Sequence, residues 1–266
     1  MRGIRCLVAA VLAAGIVTVV AAQPGRQPGG FGQQDTYLLV LTNKALQEEV
    51  KVTDAQKEKL KAIAEKQKEA TDKIRADYKD KFTDAGKDKD KRTEVATAMN
   101  KETSKVTAES RKALDEVLTS EQKTRLKQIT IQVMGVNAFA DPEAKMAGGF
   151  GGFGGGGFSD SQKATIKEVG ETLKLTDTQK TKIKGLLEEY EKDRGAIRKD
   201  IFGDKIGKGS FDAEKQKDFQ TKSGKLRTEV MGKISDSLDD TQKTAWKNLT
   251  GEAFDTSKLF QIPKKD

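Results

Sequence analysis

The residue types behind most enzyme chemistry are nearly missing from this chain. Histidine is absent from its 266 residues, and cysteine occurs once, at Cys6. What recurs instead is a hydroxyl or carboxylate three places ahead of a glutamine: VTDAQK at 52–57, LTSEQK at 118–123, LTDTQK at 175–180 and LDDTQK at 238–243. The chemistry this spacing supports is hydrogen bonding at the start of a helix. A Thr176 hydroxyl can accept the backbone N–H three residues on, while the Gln179 side chain returns a bond to the Thr176 N–H. Thr53/Gln56 and Thr119/Gln122 repeat the pair, and Asp239/Gln242 is an acidic version. Asp54, Glu121, Asp177 and Asp240 add negative charge to each first turn, where the helix dipole favours it. An apolar residue precedes each cap (Val52, Leu118, Leu175, Leu238), and another follows seven positions later (Leu60, Leu126, Ile183, Trp246).

Other chemistry finds no residues to carry it. Serine and threonine are plentiful, but there is no imidazole to activate them and no Gly-x-Ser-x-Gly elbow. The glycine tract lacks the Gly-Lys-Ser/Thr ending of a phosphate loop. Glu188, Glu189 and Glu191 are the nearest approach to a carboxylate-only metal site, and with lysines beside them they read as a solvated helix face. The sequence therefore assigns no catalytic residue, no metal ligand and no cofactor.

The elements that must carry the four caps follow from their spacing. Gln56 and Gln122 are 66 residues apart, Gln179 and Gln242 63. Shifted by 123 positions, the apolar stripe Leu60, Ile63, Ala64, Ile74, Tyr78 falls on Ile183, Leu186, Leu187, Ile197, Ile201. Shifted by 120, Met99, Val106, Leu114, Leu118 fall on Phe219, Leu226, Ile234, Leu238. Steps of three and four residues mark helices, and the self-similarity marks an internal repeat. The expected fold is all-α: two tandem long helical hairpins with short capped flanking helices, their tips at 82–91 and 206–215. ITIQVM (129–134) alternates like a strand but follows the Thr119 start, so helix is expected there.

Composition agrees. The chain is 34% charged, 35% hydrophobic and 6% aromatic, with a formal charge of +8. That suits thin helices, each burying one narrow stripe, rather than a large core. Lysine is interleaved with Asp and Glu, and no Arg-rich run with aromatics appears, so no nucleic-acid partner is expected. Arg2 and Arg5, the apolar run after them and Val20-Ala21-Ala22 read as a signal peptide over 1–22, leaving no membrane span once removed. A flexible Gly/Gln-rich segment is expected at 23–36, repeat one at 37–147, a Gly/Phe-rich linker at 148–160 and repeat two at 161–262. Within GGFGGFGGGGF (148–158), Phe150, Phe153 and Phe158 are either sticky linker residues or rings that dock in a hairpin groove.

With LTSEQ, LTDTQ and the degenerate VTDAQ and LDDTQ bracketing charged hairpins behind a leader, the chain resembles the LTxxQ-motif family, the Spy/CpxP-like periplasmic proteins, over 37–140 and again over 161–255. The resemblance implies a thin, curved all-α cradle of two interlocked hairpins, formed by a homodimer in that family, and a periplasmic or secreted location. It implies ATP-independent binding of unfolded or envelope proteins, or, in other members, inhibition of envelope-stress sensors; some members bind zinc. Here two fused copies can supply both halves as a pseudo-dimer within one chain, with a homodimer as the alternative. Candidate client-binding residues are Lys61, Lys68, Arg75, Lys184, Arg194 and Arg198 beside Ile63, Ile74, Leu187 and Ile197. The apolar four equally suit a core between hairpins, with the charged six its wet rim. A regulatory or scaffold partner of one envelope protein, or a plain helical spacer, are the other readings. Thr53→Ala or Thr176→Ala is expected to cost about 0.5–2 kcal/mol in urea denaturation, with helicity lost before any binding is.

Overall fold

A computed structural model describes residues 35–143, 158–203 and 212–260. The leader, most of the segment to 36, the rings of Phe150 and Phe153 and the tip at 204–211 lie outside the described residues. Among those described the fold is all-α, with eight α-helices and no strand. A 3-10 turn, Leu38–Leu41, leads to α1 (Lys44–Glu49), α2 (Asp54–Asp84), α3 (Lys89–Val117) and α4 (Ser120–Met134), then a second 3-10 segment, Gly135–Phe139. After it come α5 (Asp160–Leu173), α6 (Asp177–Phe202), α7 (Ala213–Asp236), α8 (Asp240–Thr250) and a last 3-10 segment, Thr256–Phe260. ITIQVM closes α4, as its capped start demands.

Helices α2 and α3 pack along their length, as do α6 and α7. The first pair runs antiparallel: Gln56 near the start of α2 bonds the Val117 carbonyl at the end of α3, while Tyr78 near the end of α2 donates to Glu102 at 2.7 Å. The seam is thin. Leu60, Ile74 and Tyr78 are the buried residues of α2, and Ser110 and Leu114 those of α3. Charged residues fill the other faces, so most of each arm's length is in water and its stability rests on the base.

Three apolar clusters form that base. The first joins Leu38, Val40, Leu46, Leu60, Leu114, Leu126 and Ile129 to Phe254 and Leu259 from beyond α8. The third joins Ile183, Tyr190, Val230 and Ile234 of the second pair to Val136 from the segment after α4. Between them Ile131, Met134, Phe158, Ile166, Val169 and Leu173 meet the half-buried Trp246. Each long pair is thus completed by the segment that follows the other half's last helix. Phe158, Ser159 and Asp160 were expected in the linker. Instead Phe158 is buried, Ser159 caps α5 and Asp160 opens it, because an apolar residue and a good cap are available at the edge of the glycine tract.

The exchange is fixed by helix ends. The last carbonyls of a helix lack internal partners and need others. Arg227 of α7 donates to the Gln132 and Val133 carbonyls at the end of α4, at 2.8 and 2.7 Å. Burial lowers the Arg227 pKa; the negative end of α4 favours its charge. In return Gln128 donates to the Asn248 carbonyl and Gln132 to those of Thr250 and Glu252, closing α8. Gly135 is obligatory here: its φ is +52° with ψ −123°, and a Cβ would collide with the Arg227 guanidinium. Gly86, at the tip of the first pair, shares φ +52° but has open space around it. Gly86→Ala is expected to cost about 1–2 kcal/mol from backbone strain, and Gly135→Ala clearly more, as measured by urea denaturation of the two variants side by side.

Candidate functional site: paired glutamines and an open groove

All four strings form complete capping boxes. The Thr53, Thr119, Thr176 and Asp239 side chains each accept the backbone N–H of Gln56, Gln122, Gln179 and Gln242, and each glutamine Oε1 takes the cap residue's N–H in return. The glutamines then pair across the base. Gln56 Nε2 donates to Gln122 Oε1 at 2.8 Å, and Gln122 Nε2 to Gln56 Oε1 at 3.0 Å. Gln179 and Gln242 do the same at 2.7 and 3.1 Å. The second N–H of each amide goes to a backbone carbonyl: Val117 and Lys51 in the first pair, Ser237 and Leu173 in the second.

A carboxamide offers two donors and one oxygen with two lone pairs. In these clasps every one of them is used. Gln122 and Gln242 are buried, 8% and 7% exposed, so the full set matters: a buried amide left short of partners is costly. Glutamate could complete the capping box but could not donate to its opposite number. Just ahead of the first and third boxes stand Lys51 and Lys174, with φ of +55° and +47°, the only non-glycine residues of positive φ among those described. They turn the chain from the preceding helix into the cap.

A fifth box went unread in the sequence. Ser159 and Gln162 form it at the start of α5, with the bond from Ser159 N–H to Gln162 Oε1 at 2.9 Å. The string S-D-S-Q carries the signal, masked by the glycines before it. Among the described residues no glutamine pairs with Gln162.

A concavity of about 1210 Å³ opens between α3 and α5 and is bounded by α2, α4 and the Leu38–Leu41 turn. Thr71, Thr103, Ser104 and Thr107 line it. The hydroxyls of Thr71, Thr103 and Thr107 donate to carbonyls one turn back, which leaves their oxygens as acceptors. At one edge Asp35, its side chain 9% exposed, takes bonds from Arg111 at 3.0 Å, Ser161 at 3.1 Å and the Tyr37 N–H at 3.1 Å. The Arg111 guanidinium lies 4.5 Å over the Tyr37 ring. Burial, then the bond to Asp115, holds the Tyr37 hydroxyl protonated far above the ordinary tyrosine value. Lys127 of α4 and Glu168 of α5, which also line it, form an ion pair.

Among the candidate client-binding residues, Lys61, Lys68 and Arg75 come together. They line a shallower recess of about 620 Å³ along α2, and Arg75 also reaches the larger groove. Lys68 and Arg75 share Asp72, at 2.8 and 3.3 Å. Lys184 pairs loosely with Glu188 and Arg194 with Glu191, at 3.9 and 3.6 Å. Neither they nor the half-buried Arg198 line either concavity. The apolar four sit inward. Ile74 is buried in the α2–α3 seam, Ile63 and Leu187 pack against the first and third clusters, and Ile197 is half-buried. Among the described residues no three His, Cys, Asp or Glu are grouped to hold a metal ion, and no helix is long and apolar enough to cross a membrane.

The clasp makes a sharp prediction. Gln122→Glu keeps its box but loses both donors, and is expected to cost about 1–3 kcal/mol at neutral pH. The penalty shrinks in acid, where a protonated carboxyl regains one donor. Gln162→Glu, with no paired glutamine among the described residues, is expected to shift stability by no more than about 0.5 kcal/mol. Urea denaturation at two pH values checks both.

No curated protein and no solved structure matches the chain significantly. A family model does. It is described as the LTXXQ motif family protein and matches residues 41–130, which run from the end of the first 3-10 turn through both boxes of the first clasp and into α4. Over these residues the chain is similar to the LTXXQ motif family.

Proposed function

We propose that this is an exported, non-enzymatic protein of the Spy/CpxP-like kind that holds unfolded or envelope proteins in the periplasm, with residues 161–255 as a second LTxxQ-type copy. Both halves supply one reciprocal glutamine pair each, and each half's closing segment completes the other. That supports a pseudo-dimer within one chain, which makes a second chain unnecessary. The family similarity supports the periplasmic reading, as do the leader-like residues 1–22.

The observation that carries the reading is the groove of about 1210 Å³ whose walls come from both halves and whose lining mixes hydroxyls and charges with the apolar side chains of Leu38, Leu39 and Leu41. An open surface of this mixed kind binds extended chains weakly and releases them. Exposed Lys and Arg along the arms attract charged unfolded chains at a distance, and that attraction fades with salt. A closed apolar pocket would instead select one shape and hold it.

The purified mature protein is expected to suppress aggregation of several unrelated denatured proteins near one-to-one stoichiometry, and less well at high salt. Ser104→Trp fills the groove from an exposed position without touching the core, and is expected to weaken suppression severalfold at unchanged helicity. Suppression unaffected by Ser104→Trp contradicts the groove as the binding surface. No suppression together with capture of one envelope protein favours a dedicated regulatory or scaffold role.

A further inference from the structure

The segment after α8 leaves the helix at Gly251, φ +61° and ψ −153°, and runs across the first half. Two side chains anchor it. Phe254 and Leu259 are 8% and 6% exposed, inserted among Tyr37, Leu38, Leu46 and Ile129, while Glu252, Ala253, Asp255 and Lys258 are exposed. Its polar attachments hold the strap's backbone: Arg125 and Gln132 Nε2 donate to the Glu252 carbonyl at 2.8 and 2.7 Å. Gln132 Oε1 accepts the Phe254 N–H at 2.9 Å, and Asn43 Nδ2 donates to the Lys258 and Leu259 carbonyls at 3.2 and 3.3 Å. Two apolar anchors five residues apart and a few bonds to backbone are the recognition pattern of a bound peptide.

We infer that residues 252–260 are a displaceable self-ligand, and that the slot between α1, α4 and the Leu38–Leu41 turn is a peptide-binding site for segments with an aromatic and an aliphatic anchor five residues apart. The slot's own walls are firmly built. Leu46, Leu60, Leu114 and Ile129 are fully buried, and Asn43 is fixed as the N-cap of α1 by accepting the Leu46 N–H at 3.0 Å. The strap has only a short 3-10 turn of its own. Its backbone is held largely by side chains of other elements rather than by helical bonds of its own, which places it among the first parts to open. Because the contacts specify backbone and two anchors rather than a full sequence, an outside peptide with that pattern competes for the same site. The inference stands apart from the holdase reading, since it concerns this slot whether or not the large groove takes clients.

The test uses the full chain. Phe254→Ser with Leu259→Ser removes the anchors, and a labelled peptide of sequence GEAFDTSKLF is titrated by fluorescence anisotropy. The variant is expected to keep its helical circular dichroism and to bind the peptide about tenfold or more tightly than the parent, where the strap competes. The same peptide with serine at both anchors is expected not to bind. A helical variant with no gain overturns the inference. So does loss of helicity, because the strap is then an integral part of the core. Asn43→Asp gives an independent reading: it keeps the α1 cap but sets a carboxylate against two carbonyls. Amide exchange over 252–260 is expected to rise about tenfold with α1 unchanged, and unchanged exchange in the strap also overturns it.

Discussion

The constraint on which the structure depends is the reciprocal amide pair at the base of each long helix pair. Arms of up to 31 residues with so few buried side chains cannot fix their own register by packing. The glutamine pair supplies that register. It ties the first turn of α2 to the first turn of α4, and that of α6 to that of α8, with each amide also closing its own helix start. The same amides hold the carbonyls at Val117 and Ser237, where the returning helices end. Three helix ends therefore meet at each clasp.

Around the clasps the halves depend on one another. Segment 135–139 completes the α6–α7 base and segment 254–260 the base of α2–α3, with α4 and α8 packed between. The correspondence is not perfect. Helix α8 stops one turn earlier than α4, and its end is closed by Gln128 and Gln132, where the end of α4 is closed by Arg227. Position 107, which a shift of 120 residues places on Arg227, is a threonine that lines the open groove. One half has filled the place that the other leaves open.

The caps were legible in the sequence because a capping box is local: donor, acceptor and spacing all lie within four residues. The all-α fold was legible from the three-and-four spacing of the apolar stripe. What the glutamines do across the base was not, since residues 66 apart give no periodic signal. Ser159/Gln162 hid at the edge of a glycine tract that dominates composition. The first 3-10 turn reads LLVL, and nothing in its apolar run distinguishes turn from strand or helix. The strap FDTSKLF has no period at all. The candidate client-binding residues divided along the line that burial would draw: Lys61, Lys68 and Arg75 gather on the surface, while Ile74 and Leu187 are needed inside.

A double-mutant cycle on Gln56→Ala and Gln122→Ala, set against a second cycle on Gln56→Ala and Gln242→Ala, tests the central claim most directly. Direct amide pairing predicts a coupling energy of about 1 kcal/mol or more within the first clasp, and near-additivity, within about 0.5 kcal/mol, across the two clasps. Additivity in both cycles would contradict it, leaving each glutamine as no more than the cap of its own helix.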